Sequence, residues 1–92
     1  MLEWDEDKRR KTLEARGIDF AAMEDFDWSL SVTRIDRRRA YGEARYISVG
    51  NIGGSLHVAV WTERAGNRRL ISLRKANTRE RKAYEEAQEL HR

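Results

Sequence analysis

The sequence contains no cysteine and no proline. Without cysteine there is no disulfide framework and no thiolate metal site. No apolar run approaches the roughly 18–20 residues that a membrane-spanning helix needs. No basic stretch followed by an apolar segment opens the chain as a secretion signal would. The expectation is therefore a cytoplasmic protein without membrane contact. Histidine is also scarce, with only His57 and His91 present, and no His–carboxylate spacing resembles a ligand set. The acidic run Glu3, Asp5, Glu6, Asp7 reads as helix capping, so no metal and no cofactor are expected. A Gly-x-Ser-x-Gly elbow and a phosphate-cradling Gly-Lys-Ser/Thr loop are both missing. Linker-like stretches and internal repeats are absent too. The 92 residues form a single expected domain, 1–92. A chain of that size buries roughly 60–65% of its unfolded surface, which suffices for one modest core.

Charge is plentiful, and it is segregated. The net charge is +3, but residues 1–27 carry −4, residues 28–82 carry +9 and residues 83–92 carry −2. Arginine outnumbers lysine fifteen to four, and the planar guanidinium suits bidentate phosphate contacts. An acidic start joined to a strongly basic middle points to a polyanionic partner on one side.

Periodicity gives an α+β protein with two N-terminal helices, a four-stranded antiparallel sheet and a C-terminal helix. Asp5 caps a first helix that Gly17 can stop. Asp19 caps a short second helix with Ala22, Met23 and Phe26 on one face. From Trp28 the period becomes two, with Trp28, Leu30 and Val32 alternating against Ser29, Ser31 and Thr33. The stretch from Arg37, Arg38 and Arg39 to Tyr41, Gly42 and Glu43 reads as a loop. Strands follow at Arg45–Val49, Ser55–Glu63 and Arg69–Arg74. The glycines between 50 and 54 and the sequence Ala65-Gly66-Asn67 make the turns. Along Ser55–Glu63, Leu56, Val58 and Val60 share one face, and His57, Ala59 and Trp61 share the other. Asn77 and Glu80 form a capping pair for a last helix from about Thr78 to Leu90, where Ala83, Tyr84, Ala87 and Leu90 share a face.

The chemistry-bearing segment runs from Trp61-Thr62-Glu63-Arg64 through Arg68-Arg69 to Ser72-Leu73-Arg74-Lys75 and Arg79-Glu80-Arg81. It is expected to bring guanidinium and carboxylate groups to adjacent strand ends and to the first turn of the last helix. Metal-free RNA cleavage needs a base for the 2′-OH, cations for the phosphorane and an acid for the leaving 5′-oxygen. Glu63, Glu80, Tyr84, Arg64, Arg74 and Lys75 supply those types and are the catalytic candidates. Arg45, Tyr46, Trp61 and Arg79 are the RNA-binding candidates, since aromatics interleaved with cations can stack bases. Each has a plainer alternative. Glu80 can serve only as a cap, Tyr84 as core, Arg64 as a turn residue and Trp61 as sheet packing.

Several segments together resemble the BrnT toxins of bacterial type II toxin–antitoxin modules. They are Glu3-Trp4-Asp5-Glu6-Asp7-Lys8, Tyr41-Gly42-Glu43-Ala44-Arg45-Tyr46, Thr62-Glu63-Arg64, Ile71-Ser72-Leu73-Arg74-Lys75-Ala76 and Arg79-Glu80-Arg81-Lys82-Ala83-Tyr84-Glu85. The resemblance implies a RelE-like ribonuclease fold, metal-independent RNA cleavage and growth arrest. It also implies neutralisation by a BrnA-like ribbon-helix-helix antitoxin, through which alone DNA is reached. Similar sequences often carry His at the position of Trp61, where an imidazole could act near neutral pH and an indole cannot. The rival reading is a non-catalytic module that binds nucleic acid or antitoxin with the same basic face.

Overall fold

The computed structural model describes residues 1–37 and 42–90. The Arg38–Tyr41 part of the expected loop and His91 lie outside the described residues. The elements in chain order are β1 (Leu2–Trp4), α1 (Glu6–Arg16), 3-10 turns at Phe20–Asp25 and Trp28–Leu30, β2 (Val32–Ile35), β3 (Arg45–Ile52), β4 (Ser55–Arg64), β5 (Asn67–Lys75) and α2 (Thr78–Leu90).

The α+β class and the C-terminal helix agree with the sequence reading, and two details do not. The sheet has five strands in the order β1-β5-β4-β3-β2, not four. The extra strand, β1, pairs parallel with β5, Leu2 opposite Arg68 and Trp4 opposite Leu70. Three residues are too few for alternation to reveal, and the partner lies far along the chain. Nor are there two N-terminal α-helices. The second is a 3-10 turn, capped by Asp19, whose carboxylate accepts from the Ala21 amide. The strand expected from Trp28 begins instead at Val32. Asp27 accepts hydrogen bonds from the amides of Ser29 and Leu30 and curls that stretch into a 3-10 turn, so local capping overrides alternation.

The expected start and stop of α1 are in place. The Asp5 side chain accepts from the Asp7 and Lys8 amides, and Gly17 sits in the left-handed region at φ 68°. The β3–β4 turn places Gly53 and Gly54 at φ 55° and 81°, the two positive values that a tight hairpin demands. Gly50 is needed for another reason: a Cβ there would lie 2.6 Å from the Phe26 ring.

The cross-strand register assigns every side chain to one of two faces. The first face carries Tyr46, Ser48, His57, Ala59, Trp61 and Leu73. It is covered by Phe20, Met23 and Phe26, which form the main core with Ala59, Leu70 and Leu73. A bulge between Val60 and Trp61 shifts the β4–β5 register, which is why Leu70 and Leu73, three apart, are both buried in that core. Fully burying each large apolar side chain contributes about 1.5–3 kcal/mol. The second face carries Ile47, Val49, Leu56, Val58 and Val60, a smaller apolar cluster with Ala76. Helix α2 lies over it but buries no residue fully. Its anchors run from Arg74 on β5 to the carbonyl of Leu30, just before β2. The helix therefore crosses the strands: Glu80 to Gln88 spans about 12 Å of helix, against roughly 14 Å for three strand spacings. No helix among the described residues is long and apolar enough to cross a membrane.

Candidate functional site

The ten candidate residues separate into two groups. Arg45, Tyr46, Trp61, Glu63 and Arg64 gather at the end of the sheet where β4 turns into β5 through Ala65 and Gly66. Arg74, Lys75, Arg79, Glu80 and Tyr84 belong to the opposite end and to α2. Arg74 is opposite Val58, whereas Arg64 is opposite Asn67. Val58 and Arg64 are six positions apart on β4, or roughly 20 Å. The expected meeting of both arginines at adjacent strand ends is therefore not what the topology gives.

At the α2 end the polar groups are occupied with one another. Arg74 grips Glu80 through two contacts of 2.7 Å. Glu80 also accepts from the Asn77 amide at 2.9 Å, and the Asn77 side chain accepts from the Glu80 amide at 2.8 Å. The reciprocal cap expected from the sequence is thus present. The Arg74 guanidinium holds the Glu80 carboxyl at a pKa of about 2, against the desolvation of partial burial. Tyr84 donates to the Leu30 carbonyl at 2.9 Å, and burial, with the Asp27 charge, pushes its phenol up. A groove of about 370 Å³ between α2 and the sheet is floored by Val32, Val49 and Val58 and edged by Arg34 and Arg74. Arg79 and Lys75 are exposed beside it.

The Ala65 end is built differently. Tyr46 and Trp61 face each other across β3 and β4 and stack, with centroids 4.7 Å apart and planes 27° apart. Trp28 meets Trp61 edge-on at 5.8 Å. The Trp61 indole donates to the Ser48 hydroxyl at 2.8 Å, and that hydroxyl is within 2.8 Å of Thr33. Trp61 is therefore pinned in the sheet face and half-buried, with part of the indole lining a cavity of about 730 Å³. Glu63 and Arg68 line the same cavity, as do Glu24, Trp28 and Tyr46. The Arg68 guanidinium lies 3.8 Å over the Trp28 ring and 5.1 Å from that of Trp61. On the other sheet face Arg64 contacts both oxygens of Glu43 at 3.0 and 3.2 Å. Buried Thr62 between them donates to the Ala44 carbonyl at 2.6 Å.

Arg68 and Trp28 were not among the sequence candidates. The signal for Arg68 was available: a two-residue turn at Ala65-Gly66 sets Glu63 opposite Arg68. Trp28 could not be found this way, because its position depends on the 3-10 turn before β2. His57 shares the face of Trp61, as alternation implied, but it is buried at the far end, with its Nδ1 2.8 Å from the Ser55 carbonyl oxygen. Among the described residues, no three His, Asp or Glu side chains gather so as to hold a metal ion.

Residues 4–80 match the family model described as ribonuclease toxin, BrnT, of type II toxin–antitoxin system. The search of the curated proteins found no match. The matched span takes in both ends of the sheet and stops in the first turn of α2, at Glu80.

Proposed function

The chain belongs to the BrnT family of ribonuclease toxins of type II toxin–antitoxin systems, and from that premise we propose that it cuts RNA without a metal ion at the Ala65 end of its sheet. The observation that carries this reading is the cavity where an exposed carboxylate, Glu63, meets a guanidinium and three aromatic rings. Glu63 makes no ion pair or side-chain hydrogen bond among the described residues, and it is exposed. Glu80 offers a poorer base, because Arg74 fills both of its oxygens.

In this mechanism Glu63 accepts the proton of the 2′-OH as that oxygen attacks the neighbouring phosphorus. Arg64 and Arg45, on the other face of the same strand ends, draw the RNA backbone to the Ala65 edge by their charge. The 5′-oxygen departs with a proton from solvent, leaving a 2′,3′-cyclic phosphate. Tyr46 and Trp61 hold a base by stacking, worth about 1–3 kcal/mol per base. Lys75 and Arg79, with Arg74, extend the basic surface along which the strand continues, while Glu80 and Tyr84 keep α2 in place. The compact RelE-like architecture, growth arrest and a BrnA-like ribbon-helix-helix antitoxin complete the reading, with DNA reached only through that antitoxin.

The test incubates the purified protein with end-labelled RNA in EDTA. Fragments ending in 2′,3′-cyclic phosphate, lost in Glu63→Gln, are the expected result. Products with 3′-hydroxyl ends, or cleavage that needs added Mg²⁺, overturn the mechanism. RNA binding without any cleavage would leave the protein a binding module with the same basic surface.

A further inference from the structure

Glu63 and Arg68 are direct cross-strand neighbours on one face of the sheet, yet they form no ion pair. Nearby, Arg64 is tied to Glu43 and Arg69 to Glu3. Arg68 alone of these three lies over indole, 3.8 Å from the Trp28 centroid, and makes no side-chain hydrogen bond or ion pair among the described residues. A guanidinium held over an aromatic ring without a polar partner leaves its N–H donors unspent. Arg68 lines the same cavity as Tyr46, Trp61 and Glu24. Glu24, on the 3-10 turn across from β5, is likewise exposed and without a polar side-chain partner among the described residues.

We infer that this cavity is a base-reading site for guanine. Guanine presents two acceptors, O6 and N7, on one edge, which match a guanidinium fork. Its N1–H and N2–H₂ donors on another edge match a carboxylate. Adenine offers a donor where Arg68 needs an acceptor, and cytosine and uracil have no N7 at all. Arg68 takes the O6/N7 edge, Glu24 the N1/N2 edge, and the rings of Trp28, Tyr46 and Trp61 wall the site. Resting on the ribonuclease reading of the same cavity, this makes the substrate RNA cut next to guanosine, with Glu63 left for the proton.

Two of the three tryptophans, Trp28 and Trp61, line the site, so intrinsic fluorescence reports binding without any cleavage. The experiment titrates the intact protein with GMP, AMP, CMP and UMP. Quenching by GMP about ten-fold or more tighter than by the other three is expected, with a loss of similar size in Arg68→Ala and in Glu24→Gln. A second measurement leaves the protein unaltered: RNA containing 7-deazaguanosine removes the N7 acceptor and should be cut about ten-fold more slowly than the guanosine RNA. Equal quenching by all four nucleotides, or none, overturns the guanine site. Cleavage without base preference also overturns it, and leaves the ribonuclease reading standing. Guanine-selective quenching without RNA cleavage supports the site and overturns the ribonuclease reading instead.

Discussion

Arg64 and Arg74, both on the same side of the sheet, stand at opposite ends of it and are each held by a different glutamate, Glu43 and Glu80. They cannot act on one phosphate, so their substitutions should fail in different ways. Arg64→Ala should lower RNA cleavage through weaker RNA binding, read as a raised KM, with no change in melting temperature. Arg74→Ala should show mainly as lost stability, because it releases the first turn of α2. Arg9→Ala, which removes contacts with Glu6 and Asp19, should change cleavage little. Cleavage kinetics beside thermal denaturation of each variant separates the three. Equal kinetic losses for Arg64 and Arg74 at unchanged stability would mean that the two ends do work on one phosphate.

Acid should be felt at Glu80. Its folded pKa of about 2 lies below the ordinary 4.5. A depressed carboxylate stabilises the fold fully above the unfolded value and loses that contribution as pH falls through the folded one. The stability of the native chain should therefore decline between about pH 4.5 and 2. Glu80→Gln should be flatter over that window and about 1 kcal/mol less stable at neutral pH, the usual scale for a lost cap and exposed ion pair. Denaturant melts at pH 7 and pH 3 measure both effects. Parallel pH curves for the two proteins would contradict the assignment.

Gly50→Ala should destabilise without touching either group of candidate residues. The new methyl meets the Phe26 ring at 2.6 Å, and that ring is buried against the sheet and edge-on to Trp28 at 4.6 Å. Overpacking of this kind costs about 1–3 kcal/mol. For a domain of this size each kcal/mol lowers the melting temperature by about 4–8 °C. A variant that melts like the native chain would show that the ring moves aside freely.

Antitoxin and RNA should compete for the arginines. Leaving the +9 segment of residues 28–82 open to cellular RNA is costly, and an antitoxin with an acidic segment would cover it most directly. Arg45→Ala, Arg64→Ala and Arg79→Ala should then weaken both partners together. For RNA the slope of log affinity against log salt should be roughly −0.7 per phosphate neutralised. Calorimetric titration with the antitoxin at two salt concentrations, beside RNA binding, provides the measurement. Lost RNA affinity with undiminished antitoxin affinity at both salts would place the antitoxin on another surface.

Local chemistry was readable in the sequence; long-range pairing was not. Asp5 and Gly17 marked both ends of α1, and Asn77 with Glu80 marked the start of α2, because caps are decided within four residues. The two faces of β4 were equally plain, whereas the turn expected over residues 50–54 is confined to Gly53 and Gly54, with Gly50 inside β3. The short strand β1 was not, since Leu2–Trp4 is defined only by its partner at Arg68–Leu70. The division of the candidates into two groups was hidden for the same reason. Glu63 and Glu80 look equivalent as isolated letters, but one is exposed at a hairpin and the other is locked into a helix cap. The bulge in β5 was the last missing piece, because it decides which face Leu73 and Arg74 each occupy.

The parallel pairing of β1 with β5 also sets a clock on synthesis. The Arg68 amide donates to the Met1 carbonyl, and Met1, Leu2 and Arg68 share the wall of one cavity. A nascent chain has made Met1 and Trp28 long before it has made Arg68. Loop closure over such a separation is slow compared with a local turn, and it cannot start until β5 has cleared the ribosome. A translation product that ends before β5 lacks Arg68 and the strand on which β1 pairs. Prematurely terminated chains should therefore be harmless to the cell that makes them, and only the finished protein would need to be restrained.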